Sequence, residues 1–495
     1  MITPQLQDAH QELSKCSVQF LNFVKENSGA LKRSSYRDIL ALNSELDRMQ
    51  PWPVFMGRRL RDEMSRAALK VLDLIKSVPG RFFDYNHKKI SNYYGISADL
   101  LTYLLDGVSK EHLAGLLARG DFIFSPAGLK CIEYNVNTNL GGLQEALWKS
   151  AYLRNPVITR FLKESRVKLI NRDSLFILFD HLIRSALNRL KKENDRLNIA
   201  LVSSRGLHGE PTSAQKEYLN AVYNNSLRHS GEHLKGEVVP CDFSCLRVIN
   251  GDVYYRDRKI RSLIEWCDGF IPGKIMDVFK RGNILVYNGA VAWLLSNKLN
   301  LALLSEHEDS GIFDREEREV IKRYIPWTRR ILDRESTYGG KKIKLKEFIL
   351  SNREKMVLKP ILGSGGEGIY IGKNTVPGEW RKLVDTALKG TNWQDLKVDF
   401  DVSEKQWREL STRALGVKSW VVQEYVESYP YLFQTGDEGC GQYCAVWGFF
   451  VFGPQLAGGY GRILPFGGQQ KVVNSRQGAQ KCVIFEVDDR DEDFR

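Results

Sequence analysis

The chain has 495 residues, 43% of them hydrophobic, enough to fill several packed cores. No apolar run approaches the roughly 18 residues a membrane helix needs, and no signal-peptide pattern opens the chain, so a cytoplasmic protein without a membrane partner is expected. The net charge of +12 asks for an anionic partner, but no RRM, KH or helix-turn-helix signature accompanies it, so a polyphosphate or an acidic protein is expected and nucleic acid is not.

Thr3-Pro4 reads as an N-cap with Pro at the first helical position. Leu6, Ala9, Leu13, Cys16, Phe20 and Phe23 follow at helical spacing, the stripe of an amphipathic helix facing a core. Further helices fit 58–77, 95–105 and 110–118. The stretch Arg119–Gly142 then reads as a hairpin. Asp121–Phe124 is its first strand, Pro126-Ala127-Gly128 its turn and Lys130–Asn135 its second strand, with Gly128 at the left-handed position of a three-residue loop. That register sets Asp121 opposite Glu133, with Asn135 on the same face. Like charges facing across a sheet destabilise it unless something neutralises them, and a hard divalent cation is the economical candidate. A surface hairpin with solvated acids is the alternative.

Helices near 142–153 and 174–193 come next. A buried-type strand at 198–202, a loop at 203–211, a helix at 213–227 and a strand at 237–240 suggest a small parallel-sheet domain. Residues 246–249 and 253–255 pair across Asn250-Gly251, a strong hairpin signal. Met356–Pro360 is an apolar strand carrying Lys359. The loop after it holds Gly363, Ser364, Gly365, Gly366 and Gly368, and Ile369–Ile371 forms a second strand. Glycines free backbone amides to close on an anion, and Lys359 offers phosphate a point charge. The spacing fits neither a Walker loop nor a dinucleotide fingerprint, because a strand follows the glycines where those need a helix or Gly-Lys-Ser/Thr. Residues 376–415 carry two helical patterns, and Trp420–Val426 is another apolar strand. Gly458, Gly459 and Gly461 flank Tyr460 ahead of Arg462, as in a strand shaped for close approach to a ligand, and Lys471 follows. The acidic run at 488–493 is a solvated tail. The eight cysteines contain no CxxC pair and the eight histidines no HxH or HExxH, so neither zinc nor a His-based nucleophilic catalyst is expected.

Asp121, Glu133 and Asn135, with Arg119 two residues ahead, resemble the magnesium triad of glutathionylspermidine synthetases. Ser296-Asn-Lys298, Ile325-Pro-Trp-Thr328, Lys359-Pro360 with its glycine loop, the strand Trp420–Val426, and Arg462 with Lys471 resemble further segments of that family in the same order. The resemblance spans about residues 95 to 485. The run from Glu133-x-Asn135 to Gly141-Gly-Leu143 is also similar to eukaryotic glutathione synthetase. Leu140 and Gly141 stand where the synthetases carry small hydroxyl residues, and their amidase domain has no counterpart.

The resemblance implies an α/β (α+β) fold of the circularly permuted ATP-grasp kind. Its regions would be an N-terminal helical part (1–95), a metal-binding part (96–195), a pre-ATP-grasp parallel-sheet domain (196–300) and nucleotide-binding subdomains (301–495). It implies ATP and Mg²⁺ as cofactors, with the metal on Asp121, Glu133 and Asn135. Lys359, Gly363, Ser364, Gly365, Gly366, Gly368 and Lys471 would cradle phosphates, and the strand edge at Gln423, Glu424, Tyr425 and Val426 would meet adenine. Arg119 and Arg462 would stabilise an acyl phosphate and a tetrahedral oxyanion. The implied activity joins a small carboxylate to a small amine. Loading an amino acid onto the thiol of an acidic carrier protein, and an inactive binding module, remain alternatives.

Overall fold

The computed structural model describes residues 4–26, 49–170, 172–190, 196–203, 212–231, 233–266, 271–363, 365–389, 419–435, 439–467 and 472–489. These form a mixed α/β molecule built on one eight-stranded sheet, one six-stranded sheet, one four-stranded sheet and a small hairpin. The anticipated loop at 203–211, the helical pattern beyond Lys389, and Thr3, Ser364, Lys471 and most of the acidic tail fall outside the described residues or on their margin.

The large sheet runs in the order Val54–Met56, Gln480–Val487, Gln455–Pro465, Gly439–Phe452, Leu117–Ser125, Gly128–Asn135, with Tyr431–Thr435 and Leu169–Ile170 on its sides. Its strands are antiparallel except Val54–Met56, which runs parallel to Gln480–Val487. Helix Arg58–Phe83 lies across five of these strands. Leu60, Met64, Ala67, Val71, Ile75 and Val78 recur at three- and four-residue steps along it and are all buried, which is why this segment is helical and lies flat.

Leu6, Ala9, Leu13, Cys16 and Phe20 of the N-terminal stripe are buried and Phe23 is half-buried, but the helix breaks at Ser14 into Pro4–Leu13 and Lys15–Glu26. Ser14 Oγ accepts from the Ser17 amide, capping the second helix, and donates to the Phe55 carbonyl, so the break is tied to the sheet edge. The strand Val54–Met56 itself carries no alternating pattern and is three residues long; its partner Gln480–Val487 defines it. The helix expected at 110–118 stops at Ala114, because Leu117 and Ala118 pair with Phe452 and Val451.

The six-stranded sheet joins parallel strands Val238–Cys241, Asn198–Ser203, Arg258–Trp266 and Leu285–Tyr287 to the hairpin Leu246–Ile249/Asp252–Tyr255. Asn250 and Gly251 turn that hairpin with φ of 52° and 81°, the left-handed pair the Asn-Gly signal requires. In the four-stranded sheet, Thr328–Arg330, Trp420–Glu424, Met356–Pro360 and Tyr370–Ile371 run antiparallel. Side chains alternate across it. Met356, Leu358 and Val422 pack into a separate core with Trp327, Leu345, Ile349 and Trp380, while Val357, Lys359 and Gln423 face the large sheet.

His10 ties the first helix to the large sheet. The Leu432 amide donates to its Nε2, so the neutral ring carries its proton on Nδ1, beside Ser17 Oγ at 2.9 Å. Burial pushes this imidazole from 6.5 down to about 3. The unfolded chain therefore takes up a proton below pH 6.5 while the folded one does not, and stability falls as pH drops from 6.5 towards 3. Between pH 7 and 5 the stability of His10→Leu should fall by about 2 kcal/mol less than that of the wild type. Denaturant titrations at the two pH values check this; equal losses would contradict it.

Candidate functional site

The acid hairpin forms, but Ser125 pairs with Gly128, so its turn side runs one residue off the register of the expected three-residue loop, and a bulge restores the expected pairing at Asp121. Leu117–Ser125 and Gly128–Asn135 pair antiparallel, Asp121 stands opposite Glu133, and Gly128 turns with φ 90°. A bulge at Ile132 follows the Asp121–Glu133 pair and re-aims the second strand, as bulges do beside sites. Arg119 grips Asp121 with two parallel bonds, Nε to Oδ1 at 2.8 Å and Nη2 to Oδ2 at 3.1 Å. Gly448 on the neighbouring strand makes room for this pair: a Cβ there would lie 3.0 Å from Arg119 Cδ and 3.3 Å from Asp121 Oδ1. Arg119 Nη1 also donates to the Gly141 carbonyl and to Tyr460 Oη.

Three more nitrogen groups complete the charge arrangement. Arg462 Nη2 lies 2.8 Å from Asp121 Oδ2, and its Nε proton is buried without a hydrogen-bond partner among the described residues. Asn135 Nδ2 donates to the same oxygen at 3.1 Å. Lys298 Nζ holds Glu133 Oε1 at 3.0 Å. Burial alone would raise the Asp121 carboxyl; the Arg119 and Arg462 guanidinium groups outweigh it and hold the carboxyl at about 2. Burial likewise opposes ionisation of Glu133, and Lys298 reverses that balance, keeping its carboxyl below the usual range.

This changes the argument for a metal. The facing acids are neutralised by the protein's own cations, where sequence reasoning assigned the task to Mg²⁺. Three nitrogens crowd Asp121 Oδ2, and Lys298 occupies Glu133 Oε1. Among the described residues no group of three or more His, Cys, Asp or Glu could hold a metal ion. As arranged, Asp121, Glu133 and Asn135 fit ammonium and guanidinium partners and do not fit Mg²⁺.

Lys359 faces the acids from the four-stranded sheet. Its Nζ donates to the Ile132 carbonyl at 3.0 Å and to Gln423 Oε1 at 2.6 Å, and Gln423 Nε2 donates on to Thr328 Oγ1. Burial pushes this ammonium down to about 8 against the opposite pull of Glu133, which leaves it charged at neutral pH. Gln423 thus orients Lys359. It is no edge residue: its strand is hydrogen-bonded on both sides, opposite Thr328 and Val357. The amides of Glu424 and Tyr425 are bonded too, to the carbonyls of Trp327 and Lys355, so a backbone contact to a planar ring has to come from beyond the paired strand, towards Val426.

After Pro360 the loop turns through Gly363, Gly365, Gly366 and Gly368 with φ of 131°, 73°, 76° and 69°, values that only glycine adopts freely. The strand–loop–strand reading holds, with Val357 opposite Ile371 and Leu358 opposite Tyr370. Gln477 Nε2 donates to the Gly366 carbonyl, and its Oε1 accepts from the Val472 amide, so the loop is clipped to the segment 472–477.

One cleft lies between the two sheets, enclosing about 860 Å³, part of it open to solvent. Asp121, Glu133, Lys359, Gly366, Gln423, Glu424, Tyr425, Val426 and Arg462 all line it. Arg119, Asn135 and the other three glycines stand next to lining residues without lining it themselves. Ser364 and Lys471 lie outside the described residues. Ile123, Ile132, Val357, Ile369, Val446 and Val472 supply apolar walls. Lys298 belongs to a family-like segment, but it is far from Glu133 in sequence and carries no local signal for its role. The cleft can hold a flat apolar group against its walls and an anion against Lys359 and Arg462, with Arg119 and Lys298 behind the Asp121 and Glu133 carboxylates they pair with.

Comparison of structures finds a solved structure from Methylobacillus flagellatus KT, described as a candidate gamma-glutamylcysteine synthetase. It is 12% identical, covers 84% of this chain and 88% of its own, and superposes with a TM-score of 0.42, a likeness too loose to bear on fold family or function. No family model and no curated protein matches the chain.

The glycines around Tyr460 have a packing reason where ligand approach was expected. Gly459 and Gly461 sit in regular antiparallel pairing with Phe449 and Trp447. A Cβ on Gly459 would lie 2.4 Å from the Gly448 carbonyl oxygen, and one on Gly461 would lie 2.8 Å from the Trp447 ring. Gly459→Ala should therefore lower stability by about 1–3 kcal/mol, read as a lower midpoint of thermal unfolding. An unchanged midpoint would return these glycines to a role at the ligand.

Proposed function

We propose that this chain is an ATP-dependent carboxylate–amine ligase of the circularly permuted ATP-grasp kind, working through an acyl phosphate. One observation carries the reading: two cations, Lys359 and Arg462, line a half-open, largely apolar cleft under a glycine loop, and the Arg462 Nε proton is buried without a hydrogen-bond partner among the described residues. Buried unpaired donors cost free energy, and an anion in the cleft relieves that cost. Adenine would lie against the apolar walls near Val426, with the phosphates running towards Lys359 and the loop.

In this reading the γ-phosphoryl group passes from ATP to the substrate carboxylate, the bond to the β-phosphate breaks, and ADP leaves. The amine then attacks the acyl carbon, the C–N bond forms, and inorganic phosphate departs with the C–O bond. Lys359, oriented by Gln423, neutralises charge on the phosphates. The backbone amides of the glycine loop, held down by Gln477, close over them. Arg462, which lines the cleft, with Arg119 beside it would stabilise the acyl phosphate and the tetrahedral oxyanion, a task suited to forked guanidinium donors. Small-molecule carboxylates and amines are the proposed substrates.

Two measurements test this. ADP release should depend on a carboxylate substrate and an amine acceptor when amino acids and amines are screened in pairs; no stimulation by any pair would count against a ligase. Arg462→Ala should lower kcat by about a hundredfold or more while changing the affinity for ATP only about threefold, because the charge it meets is greatest in the transition state. Wild-type turnover in that variant would remove Arg462 from the reaction.

A further inference from the structure

Resting on the nucleotide reading above, we propose that Thr328 is a positioning residue for the phosphate-binding lysine of the cleft. Its hydroxyl fixes which way round the Gln423 amide lies, and so what Lys359 has left to offer an anion. Thr328, Gln423 and Lys359 lie on three neighbouring strands of the four-stranded sheet. Thr328 stands directly opposite Gln423, and Gln423 directly opposite Val357, two residues before Lys359. Side chains paired in this way share a face and touch. All three residues are buried. Gln423 and Lys359 line the cleft, while Thr328 backs onto Gln423 without lining it.

The direction of each bond follows from the protons available. Thr328 Oγ1 carries one proton and donates it to the Pro326 carbonyl at 2.8 Å. Towards Gln423 the hydroxyl can therefore only accept, and it accepts from Nε2 at 3.1 Å. That turns Gln423 Oε1 to the other side, where it accepts from Lys359 Nζ at 2.6 Å. The reverse orientation would set amide protons against an ammonium group, which has donors and no acceptor. The backbone of Thr328 is held as well, its amide donating to Ser305 Oγ at 3.1 Å. An ammonium group has three N–H bonds. Lys359 gives one to Gln423 Oε1 and one to the Ile132 carbonyl at 3.0 Å, which leaves the third, among the described residues, for an anion beside Arg462 and Gly366. Without the Thr328 hydroxyl either end of the Gln423 amide can turn to Lys359, and the buried ammonium loses a fixed acceptor. The segment Ile325-Pro-Trp-Thr328 thus acts on the cleft at one remove, through its last side chain.

The test is calorimetry of the full chain with ATP and, separately, with inorganic tripolyphosphate, with thermal unfolding followed alongside. Thr328→Val keeps the shape of the side chain and removes the hydroxyl. It should weaken ATP binding at least about fivefold, and Thr328→Ser should bind as wild type. In a Lys359→Met background the same Thr328→Val change should alter ATP affinity by less than about twofold, because the hydroxyl acts through that ammonium. A merely structural Thr328 would lower the unfolding midpoint and leave ATP affinity alone, or weaken ATP equally in both backgrounds. Either result would overturn the proposal and leave the nucleotide reading standing. If Thr328→Val does not fold, Gln423→Leu decides: a loss of affinity that vanishes in the Lys359→Met background supports the relay, and wild-type affinity overturns it. Tripolyphosphate separates the relay from the nucleotide reading. If wild type binds tripolyphosphate and not ATP, and Thr328→Val weakens it, the Thr328 role stands and the nucleotide reading falls. Binding of neither anion would overturn both.

Discussion

The buried carboxylate of Asp121 is the constraint around which the rest of the site is arranged. It is 2% exposed, on the strand next to the edge of the eight-stranded sheet, where an isolated buried charge would be very costly. Arg119 from its own strand and Arg462 from two strands away hold it ionised, and each arginine in turn needs the carboxylate to be tolerated there. Replacing such a group by an apolar one of the same shape is often neutral for stability, while removing one partner strands the others. A network that strands its members so easily is an expensive way to hold a sheet together, which is why a role in binding is the better account of it.

Two sheets share the work. The large sheet carries the acids and arginines on strands from both ends of the chain, and the four-stranded sheet, with a core of its own, carries Lys359 and the glycine loop. Few groups bridge them: Lys359 to the Ile132 carbonyl, Lys298 to Glu133 and Gly363, and the Gln477 clip on Gly366. Each of these contacts is polar, and Ile132, Glu133, Lys359 and Gly366 among their members line the cleft. In the proposed reading, an anion that enters the cleft would exchange internal ion pairs for contacts of its own.

What was legible in the sequence was local. The acid hairpin itself was legible because both strands and their turn lie in one short stretch, but the pairing of Asp121 with Glu133 also needs the bulge at Ile132, since the turn alone would set Asp121 against Ile132. The four loop glycines and the Asn250-Gly251 turn were legible for the same reason, each taking the left-handed backbone its position requires. Long-range partners were not. Lys298 reaches Glu133 only through the fold, Val54–Met56 becomes a strand only because Gln480–Val487 lies beside it, and Gln423 is central only because Thr328–Arg330 covers its other side. The glycines near Tyr460 misled for a related reason: what approaches them closely is another strand and a Trp ring, which local pattern cannot tell from a ligand.

The most direct measurement of whether this cleft is a nucleotide site is amide hydrogen exchange with and without ATP. Ordering the loop glycines on a polyphosphate loses backbone freedom that only phosphate contacts can offset, so slower exchange should appear together in Gly365–Ile371, in Glu424–Val426 and in the segment 472–477, with little change in the hairpin 246–255 far from the cleft. Identical exchange in the first three segments with and without ATP would contradict the account.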